Sequence, residues 1–443
     1  MSEATDMWNP LFETMDSEEL RAYQLERFRD VVRHVKEHSP FYAEKFSDVD
    51  PDAITSLADV RELPLTTKAE LRKAQAGEDL YGEVLTADRE SIVSYHQTSG
   101  TTGQPVRQAD SMADWEWWID CWATVLWANG VRAEDRVFFP FSYNVFLAFW
   151  AAHDAAERIG AEVVPGGGMS SSQRVQKIEE LEPTVVATTP TYAFRLAEVA
   201  DEEGIDLAAS SVETVICAGE PGASVSSTKA EIERLWGADV YDHAGATEAG
   251  AWGFSCEGTD LGLHLNEKQF LIEVLDENDE PVEPGEVGRV VVTPLHRFAQ
   301  PYVRFDLKDR VRLTERGACE CGRTFRLTDG GVLGRDDDFK TINGMLFTPR
   351  AAEDIVHGYD DVTNEFRVRI DDHPTKELEV LELAVEADTE DTDAIESEVR
   401  KRMRQQANIN PAVKVLEPGE LTRNELKSDR VVDNRSRKNE LEA

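Results

Sequence analysis

The chain has 443 residues, 41% of them hydrophobic, which is enough for a sizeable core and roughly two or three domains. Its 87 acidic residues outnumber its 47 basic residues, and the resulting formal net charge of −40 is spread along the whole sequence. A field of that sign repels nucleic acid and anionic membranes, and it is typical of a protein adapted to high salt, where screening weakens self-repulsion.

The N-terminal residues and the cysteines indicate a cytoplasmic protein with no membrane anchor. The sequence begins with an acidic segment that lacks the apolar run of a secretory signal. The most apolar stretch, residues 137–152, contains Pro140 and Asn144 and is too short to span a bilayer. The five cysteines are sparse and odd in number, which does not describe a disulfide framework.

The N-terminal part of the sequence predicts helices and a parallel sheet. Apolar residues recur near a 3.6-residue period over 16–46, which predicts a helix. A strand-like run at 91–95 then feeds a polar loop at 96–105, and an aromatic helical stretch follows at 115–127. Strands that alternate with helices argue for a parallel α/β sheet. The alternating apolar runs are 136–139, 161–165, 184–188 and 214–218, with helical segments at 173–181 and 224–236.

The C-terminal part shows a different pattern of predicted elements. Short strands at 270–275 and 288–293 predict a β-rich subdomain. The predicted fold class is therefore α/β, with parallel-sheet α/β subdomains and a β-rich subdomain in a large N-terminal domain, plus a small mobile C-terminal α+β domain. The predicted boundaries are 1–333 for the large domain, 334–338 for a hinge and 339–443 for the small domain. The small domain comprises strands at 364–370, 377–386 and 412–416 and a helix at 392–406.

The first motif with chemical potential is the loop at 98–105. Its glycines free the backbone to approach an anion, and its hydroxyls and amides offer donors to phosphate oxygens. No Lys follows Gly103, so the loop is not that of the classical nucleotide triphosphatases. An ordinary Ser/Thr/Gly surface loop is an equal interpretation of this composition alone.

Two further motifs lie downstream. Glu248 ends a small-residue turn after a predicted strand, where its carboxylate could hold Mg²⁺, although an acid after a turn is usually a solvated cap. Gly334, Arg335 and the acids that follow them mark the suspected domain boundary. They indicate either a polar linker or a hinge whose Arg reaches a phosphate.

Taken in order, these motifs resemble the adenylate-forming superfamily of acyl-CoA synthetases, luciferases and peptide-synthetase adenylation domains. The closest resemblance is to the phenylacetate-CoA ligase family. It implies an acid–thiol ligase that activates an aryl or arylacetic acid with ATP and transfers the acyl group to CoA, forming AMP and pyrophosphate. Adenylylation of a deazaflavin cofactor, transfer to a carrier-protein thiol, and a non-catalytic nucleotide-binding protein are the alternatives. The matching segments are 98–105, 151–160, 189–192, 218–221, 304–309, 334–338 and 423–427.

The resemblance also implies roles for individual residues, with ATP, Mg²⁺ and CoA as cofactors. Lys427 would reach the acid carboxylate and the α-phosphate, Glu248 would hold Mg²⁺, and Arg335 would contact the ribose or a phosphate. Asp309 would bond the ribose hydroxyls, and Asp337 would be the pivot of the hinge. The phosphate and adenine sites would comprise Thr98, Ser99, Gly100, Thr101, Thr102, Gly103, Gly219, Glu220, Pro221, Asp242, His243, Ala244 and Thr247.

The sequence departs from the family pattern at three places. Ala244 stands where an aromatic residue usually stacks on adenine, with Tyr241 or His243 as the candidate replacement. The usual Lys after the phosphate-loop Pro is absent, with Arg107 as the candidate replacement. The Gly of the Arg-x-x-Gly-Asp pattern is missing between Arg304 and Asp309.

The acid pocket and the partners follow from the same resemblance. The aromatic segment 138–153 is expected to line the acid pocket, through Tyr143, Phe146 and His153. An aromatic stripe is more often plain core, so the assignment depends on the resemblance. The expected partners are a small carboxylic acid, ATP and CoA, without nucleic acid or membrane, and homodimers are common in the family.

A metal site is a separate prediction. Cys319 and Cys321 form a tight thiolate pair, and Cys256 and His264 lie upstream. Three thiolates and one imidazole would make a closed tetrahedral Zn²⁺ site, whose role would be structural because no position stays open. The alternative is a set of unlinked buried thiols.

Overall fold

The computed structural model describes residues 7–98, 104–145, 147, 149–336, 340–343, 345–359, 362–373, 378–389, 391–406, 409–422 and 430–435. Within them the helices are α1 (Pro10–Glu13), α2 (Ser17–His38), α3 (Pro40–Lys45), α4 (Leu57–Arg61), α5 (Lys68–Ala74), α6 (Met112–Ala128), α7 (Trp150–Ile159), α8 (Ser171–Leu181), α9 (Pro190–Glu203), α10 (Ser226–Trp236), α11 (Pro349–Val356) and α12 (Thr392–Gln406). Short 3₁₀ turns cover Pro51–Ala53, Gly82–Val84, Arg89–Ser91 and Leu207–Ala209.

The strands alternate with these helices in the first half of the chain and dominate the second half. They are β1 (Ile92–Gln97), β2 (Arg107–Ser111), β3 (Arg136–Phe139), β4 (Glu162–Pro165), β5 (Val185–Thr188), β6 (Thr214–Ala218), β7 (Asp239–Ala246), β8 (Gly250–Phe254), β9 (His264–Leu265), β10 (Phe270–Leu275), β11 (Val287–Pro294), β12 (Phe305–Leu313), β13 (Thr328–Arg335), β14 (Lys340–Ile342), β15 (Met345–Phe347), β16 (Val362–Asp372), β17 (Glu379–Ala387), β18 (Ala412–Leu416) and β19 (Val431–Asp433).

A seven-stranded sheet forms the centre of the molecule, in the order β4-β3-β5-β6-β7-β8-β9. The strands from β4 to β7 run parallel, and β8 and β9 add antiparallel strands at one side. Helices cover both faces of a parallel sheet, so successive residues of each strand are buried in different cores. Phe139 and Ile216 belong to the core under α6 and α7, while Phe138 and Val215 belong to the core under α8, α9 and α10. The predicted parallel α/β sheet is confirmed.

One local prediction for the N-terminal part was wrong, and one strand was not predicted. The helix predicted over 16–46 is two helices, because Pro40 has no N–H to donate and disfavours helical backbone at the preceding residue. Ser39 instead caps α3, where its hydroxyl accepts from the Tyr42 N–H at 3.3 Å. The polar loop after β1 does not lead directly into a helix, because β2 pairs antiparallel with β1 before α6 begins.

An antiparallel sheet of four strands, β10-β11-β12-β13, follows the central sheet. It matches the β-rich subdomain that the sequence predicts. The predicted hinge at 334–338 begins inside β13, where Gly334 and Arg335 pair with Arg310 and Asp309 of β12. Asp337 lies outside the described residues, so the domain boundary remains a prediction.

The C-terminal residues form their own sheet, in the order β18-β17-β16-β19, with α11 and α12 packed against it. Helix α11 also docks on the preceding part of the chain. The Arg350 guanidinium donates to the backbone oxygens of Gly330 at 2.6 Å and Ser224 at 2.6 Å. The Thr228 hydroxyl of α10 donates to Glu353 Oε1 of α11 at 3.1 Å. Polar contacts therefore join α11 to the preceding part of the chain.

No helix in the described part of the chain is long and apolar enough to cross a membrane.

Candidate functional site

The two ends of the predicted phosphate loop are pinned together by the β1–β2 hairpin. The Thr98 N–H donates to the Val106 carbonyl at 3.0 Å, and the Val106 N–H donates back to Thr98 Oγ1 at 3.1 Å. The Thr98 hydroxyl therefore closes the loop as well as belonging to it. The loop residues between these ends, Ser99, Gly100, Thr101, Thr102 and Gly103, lie outside the described residues.

Glu248 lies in the turn between β7 and β8, and its side chain is only 6% exposed. Lys68, the first residue of α5, places Nζ 2.8 Å from Glu248 Oε1. The Glu248 carbonyl accepts from the buried Arg297 guanidinium at 3.0 Å, and Arg297 is itself paired with Asp110. Arg297 thus holds the backbone of Glu248, and the Lys68 ammonium lies against the carboxylate predicted to hold Mg²⁺.

Lys68 is a functional candidate that the sequence analysis missed. It lies 180 residues before Glu248 in the sequence, and no spacing rule connects the two. The signal that was available is a helix start: Thr67 and Glu70 form a capping box that fixes the first turn of α5. Arg107, the candidate replacement for the missing lysine, donates instead to the carbonyls of Gln75 and Leu80. Whether Arg107 covers part of the charge of the missing lysine stays a prediction.

Asp309 and Arg335 face each other across neighbouring strands. They occupy paired positions of β12 and β13, and Arg335 Nη1 lies 2.9 Å from Asp309 Oδ1. The Asp309 side chain is mostly buried, whereas the Arg335 side chain is about a third exposed. The structure brings together the two residues that the resemblance assigns to the ribose.

Asp242 is buried in the middle of β7. Its carboxylate accepts from the Ser224 hydroxyl and from the His243 N–H. Burial raises the pKa of Asp242 to about 6, against the lowering effect of the Ser224 hydrogen bond. The neighbouring turn after β6 contains Gly219, Glu220 and Pro221, of which Gly219 and Pro221 are exposed. Glu220 Oε1 accepts the Thr191 N–H at 2.9 Å and so helps to cap α9.

His243 and Ala244 differ from the expected adenine wall. Consecutive residues of a strand point to opposite faces, so the His243 ring lies on the face away from the Asp242 carboxylate. There it stacks on Trp122 of α6, with ring centroids 4.1 Å apart. His243 therefore does not replace the aromatic side chain that Ala244 lacks. By the same alternation, the Tyr241 side chain lies on the same face of β7 as the His243 side chain. Thr247 is buried in the turn that leads to Glu248.

The predicted acid-pocket residues belong to a continuous aromatic cluster. The Tyr143 hydroxyl lies 2.9 Å from His153 Nδ1, and His153 stacks on Phe139 at 5.9 Å. Phe149 joins this group to Trp122, with centroids 5.9 Å apart. Trp122 was not predicted, because an aromatic residue inside a long apolar helix carries no signal that separates pocket from core. Phe146 lies outside the described residues.

The cysteine cluster is a compact group of potential metal ligands. The ligand atoms of Cys256, His264, Cys319 and Cys321 all lie within 4.8 Å of one another. Cys256 Sγ is 3.6 Å from Cys319 Sγ, far longer than the roughly 2.05 Å of a disulfide, and Cys321 Sγ is 3.4 Å from His264 Nε2. A side chain at Gly258 would place its Cβ 3.0 Å from Cys319 Sγ, so a glycine lets the loops approach. A hydrogen bond from Cys256 lowers the pKa of the Cys321 thiol.

Two of the predicted functional residues remain predictions. Asp337, the predicted pivot, and Lys427, the predicted catalytic lysine, both lie outside the described residues. The last strand before Lys427 that the structure describes is β18, and β19 follows it.

The chain matches known families along most of its length. Residues 21–295 match the AMP-binding enzyme family, and residues 344–435 match the AMP-binding enzyme C-terminal domain. A phenylacetate-coenzyme A ligase of Thermus thermophilus is 31% identical over 443 aligned residues, covering 95% of this chain and 97% of the relative. The ligase of the same name from Aromatoleum evansii is 30% identical over 439 residues, covering 96% of each chain.

Solved structures of one relative also indicate the conformation. A 2-hydroxyisobutyryl-CoA ligase in the postadenylation state with 2-HIB-AMP superposes with a TM-score of 0.93 at 28% identity, covering 100% of this chain and 95% of that one. With 2-HIB-AMP and CoA in the thioesterification state, that protein gives 0.74 at 29% identity, with the same coverage. The present arrangement is therefore nearer the postadenylation form. By sequence and by fold, this chain belongs to the phenylacetate-CoA ligase family of AMP-binding enzymes.

Proposed function

We propose that this enzyme activates an aryl or arylacetic acid with ATP and transfers the acyl group to CoA. The observation that supports the proposal is that Asp242 on β7 and Glu248 just after it are buried carboxylates, and that Asp309 on β12 pairs with Arg335 on β13. These groups lie downstream of the Thr98 loop in the order that the family resemblance requires. Family membership favours CoA as the acceptor over a carrier-protein thiol or a deazaflavin.

The reaction requires the protein to position two anions, the acid carboxylate and ATP. An oxygen of the acid carboxylate attacks the α-phosphorus of ATP, and pyrophosphate leaves with the electron pair of the broken P–O bond. The CoA thiolate then attacks the acyl carbonyl carbon, and AMP leaves. Lys68 and Lys427 supply positive charge to the phosphates, and the loop at 98–103 supplies donors. Asp309 accepts from the ribose hydroxyls, and Asp242 lies beside the adenine.

Mg²⁺ fits the donor set around Glu248. Hard divalent cations take carboxylate oxygens, and Glu248 Oε1 is a buried oxygen whose partner is the half-exposed Lys68 ammonium. When bound with ATP, Mg²⁺ would neutralise charge on the phosphate oxygens. The Lys68 side chain is about a third exposed, and we propose that its ammonium exchanges the carboxylate for a substrate phosphate.

A panel assay tests the proposed function. Pyrophosphate exchange should appear with at least one aryl or arylacetic acid in molar salt, and thioester should form only when CoA is present. Exchange without CoA dependence would favour a simple adenylylase. Absence of exchange with every acid would contradict acid activation. It would favour adenylylation of a deazaflavin or a non-catalytic nucleotide-binding protein.

We infer separately that the cysteine cluster holds a structural zinc ion. Zn–S bonds of about 2.3 Å and Zn–N bonds of about 2.0–2.1 Å give tetrahedral edges of about 3.8 Å between sulfurs and about 3.6 Å between sulfur and nitrogen. The corresponding distances are 3.6 Å and 3.4 Å. The donor set fits zinc, and four protein ligands leave no position for chemistry.

The domain organisation, the localisation and the assembly are also proposals. We propose that residues 1–333 carry the ATP and acid sites, and that 334–338 form the hinge about which residues 339–443 bring Lys427 to the acid. The net charge of −40 supports a cytoplasmic enzyme that works at high salt. A homodimer is the expected assembly, and light scattering in molar salt measures it.

A further inference from the structure

The imidazole of His243 is buried without a hydrogen-bond partner. The residue is 8% exposed, and neither ring nitrogen meets a donor or an acceptor among the residues that the structure describes. The backbone N–H of the same residue, in contrast, donates to Asp242 Oδ1 at 3.0 Å. Leaving a buried polar group unpaired opposes folding, so such a group in a native protein calls for an explanation.

The local structure holds the ring in this position. It stacks on Trp122 with the planes 23° apart. A Cβ added at Gly245 would lie 2.7 Å from His243 Cε1, so only a glycine two residues along the strand leaves room for the ring. Burial lowers the pKa of His243 to about 3, so the ring is neutral near pH 7. A neutral imidazole offers one N–H donor and one nitrogen acceptor.

The ring also lies next to the expected acid pocket. Trp122 joins His243 to Phe149, and Phe149 contacts Phe141 at 5.3 Å. The strand of His243 ends at Ala246, and Glu248, the expected Mg²⁺ ligand, lies in the turn that follows. The His243 ring therefore packs, through Trp122, against the aromatic group that is expected to line the acid pocket.

We propose that His243 is a specificity-determining residue, and that the acid it selects carries an uncharged hydrogen-bonding group such as a hydroxyl. This inference deepens the proposed function and rests on it. An acid with a hydroxyl at the end that reaches His243 gives the imidazole the partner that the described residues do not provide. An unsubstituted acid such as phenylacetate leaves the nitrogens unpaired in a pocket closed by substrate, and a site of this kind discriminates against it.

The test compares matched acids. Phenylacetate, 3-hydroxyphenylacetate, 4-hydroxyphenylacetate and 2-hydroxyisobutyrate are assayed by pyrophosphate exchange in the wild type, in His243→Leu and in His243→Gln. We expect the wild type to favour one hydroxylated acid by about tenfold or more in kcat/KM, the ratio that one net hydrogen bond supports. His243→Leu should bring that ratio close to one, chiefly through KM. His243→Gln, which keeps a donor and an acceptor, should retain part of it.

The four acids also separate the two sources of a hydroxyl. A preference for a hydroxyphenylacetate assigns the group to an aryl ring, and a preference for 2-hydroxyisobutyrate assigns it to a short aliphatic acid. Equal kcat/KM for phenylacetate and every hydroxylated acid in the wild type overturns the inference, whether or not His243→Leu folds. An unchanged preference in a folded His243→Leu enzyme also overturns it. Both results leave adenylation in place, whereas exchange with no acid at all is the failure of the proposed function.

Discussion

The cysteine cluster and the adenylation cleft are both groups of polar residues from distant parts of the chain, but they are built differently. In the cluster, the ligand atoms of Cys256, His264, Cys319 and Cys321 face each other, and three of the four residues are buried. In the cleft, each buried carboxylate faces a cation whose side chain is about a third exposed. The Glu248 and Asp309 side chains are 6% and 12% exposed, while their partners Lys68 and Arg335 are 34% and 38% exposed.

This difference indicates what each group can do. A cluster whose donors point only at one another can hold an ion and nothing else, so changing it should affect folding. A buried carboxylate whose cation can move to solvent can exchange that cation for Mg²⁺ or for a substrate phosphate. Changing the cleft should therefore affect turnover more than folding. The four predictions below test that separation.

The largest expected effect is on stability, in Cys319→Ser. Loss of one thiolate should release zinc and lower the free energy of unfolding on the order of 5 kcal/mol, because binding energy at such a site is folding energy. Metal analysis and thermal unfolding measure both quantities. Cys121→Ser is the matched control, since Cys121 is a buried thiol outside the cluster and should keep the metal content unchanged. A wild-type protein purified without zinc would contradict the prediction.

The next effect is on catalysis, in Lys427→Ala. Removing the cation predicted to meet the carboxylate and the α-phosphate should lower adenylation by about 10²-fold or more, with the unfolding temperature unchanged. Pyrophosphate exchange measures the rate. Lys401→Ala serves as the control, since Lys401 is an exposed lysine that pairs with Glu398 on α12. Equal losses in both variants would remove the special role of Lys427.

A smaller catalytic effect is expected for Lys68→Met. Without the ammonium, Glu248 keeps its place through the Arg297 contact, but the phosphates lose one cation. We expect kcat/KM for ATP to fall about tenfold, mostly through KM, because a phosphate contact made before and during reaction adds binding in both states. Lys73 on the same helix is exposed, and Lys73→Met should leave kcat/KM for ATP unchanged. A fall in stability without a change in KM would place Lys68 in the fold instead of the cleft.

The smallest effect is a pH dependence of stability, from Asp242. Burial raises the pKa of this carboxyl to about 6, above its ordinary 3.8, so the folded protein binds the proton more tightly than the unfolded chain. The stability it contributes is complete below about pH 4 and is lost as pH rises through about 6. Relative to Asp242→Asn, which cannot ionise, the wild type should lose about 1 kcal/mol between pH 5 and pH 7. Denaturant titrations at both pH values measure the difference, and parallel curves would contradict the assignment.

The accuracy of the sequence predictions varied with the range of the interactions involved. Strand–helix alternation from 135 to 246 was predictable because apolar runs and helical stripes are local patterns. The break at Pro40 was a local signal that the 3.6-residue periodicity masked. Strand β2 was missed because Arg107–Ser111 is polar and buried by its partners, which a hydrophobicity pattern does not detect. The four cysteine-cluster ligands were predictable from their chemical types, since few other arrangements gather three thiols and an imidazole.

The contact between Lys68 and Glu248 could not be predicted, because it depends on how α5 packs against the end of β7. The direction of His243 was also undecided, since its sequence position beside Ala244 suited an adenine contact. Strand alternation turns the ring towards Trp122, and the partner helix decides that the ring is buried. Sequence alone determined the class of enzyme and the order of its motifs, because these depend on residue types along the chain. Only the tertiary structure decided which charges meet and which face each side chain occupies, because those are set by the packing of elements far apart in sequence.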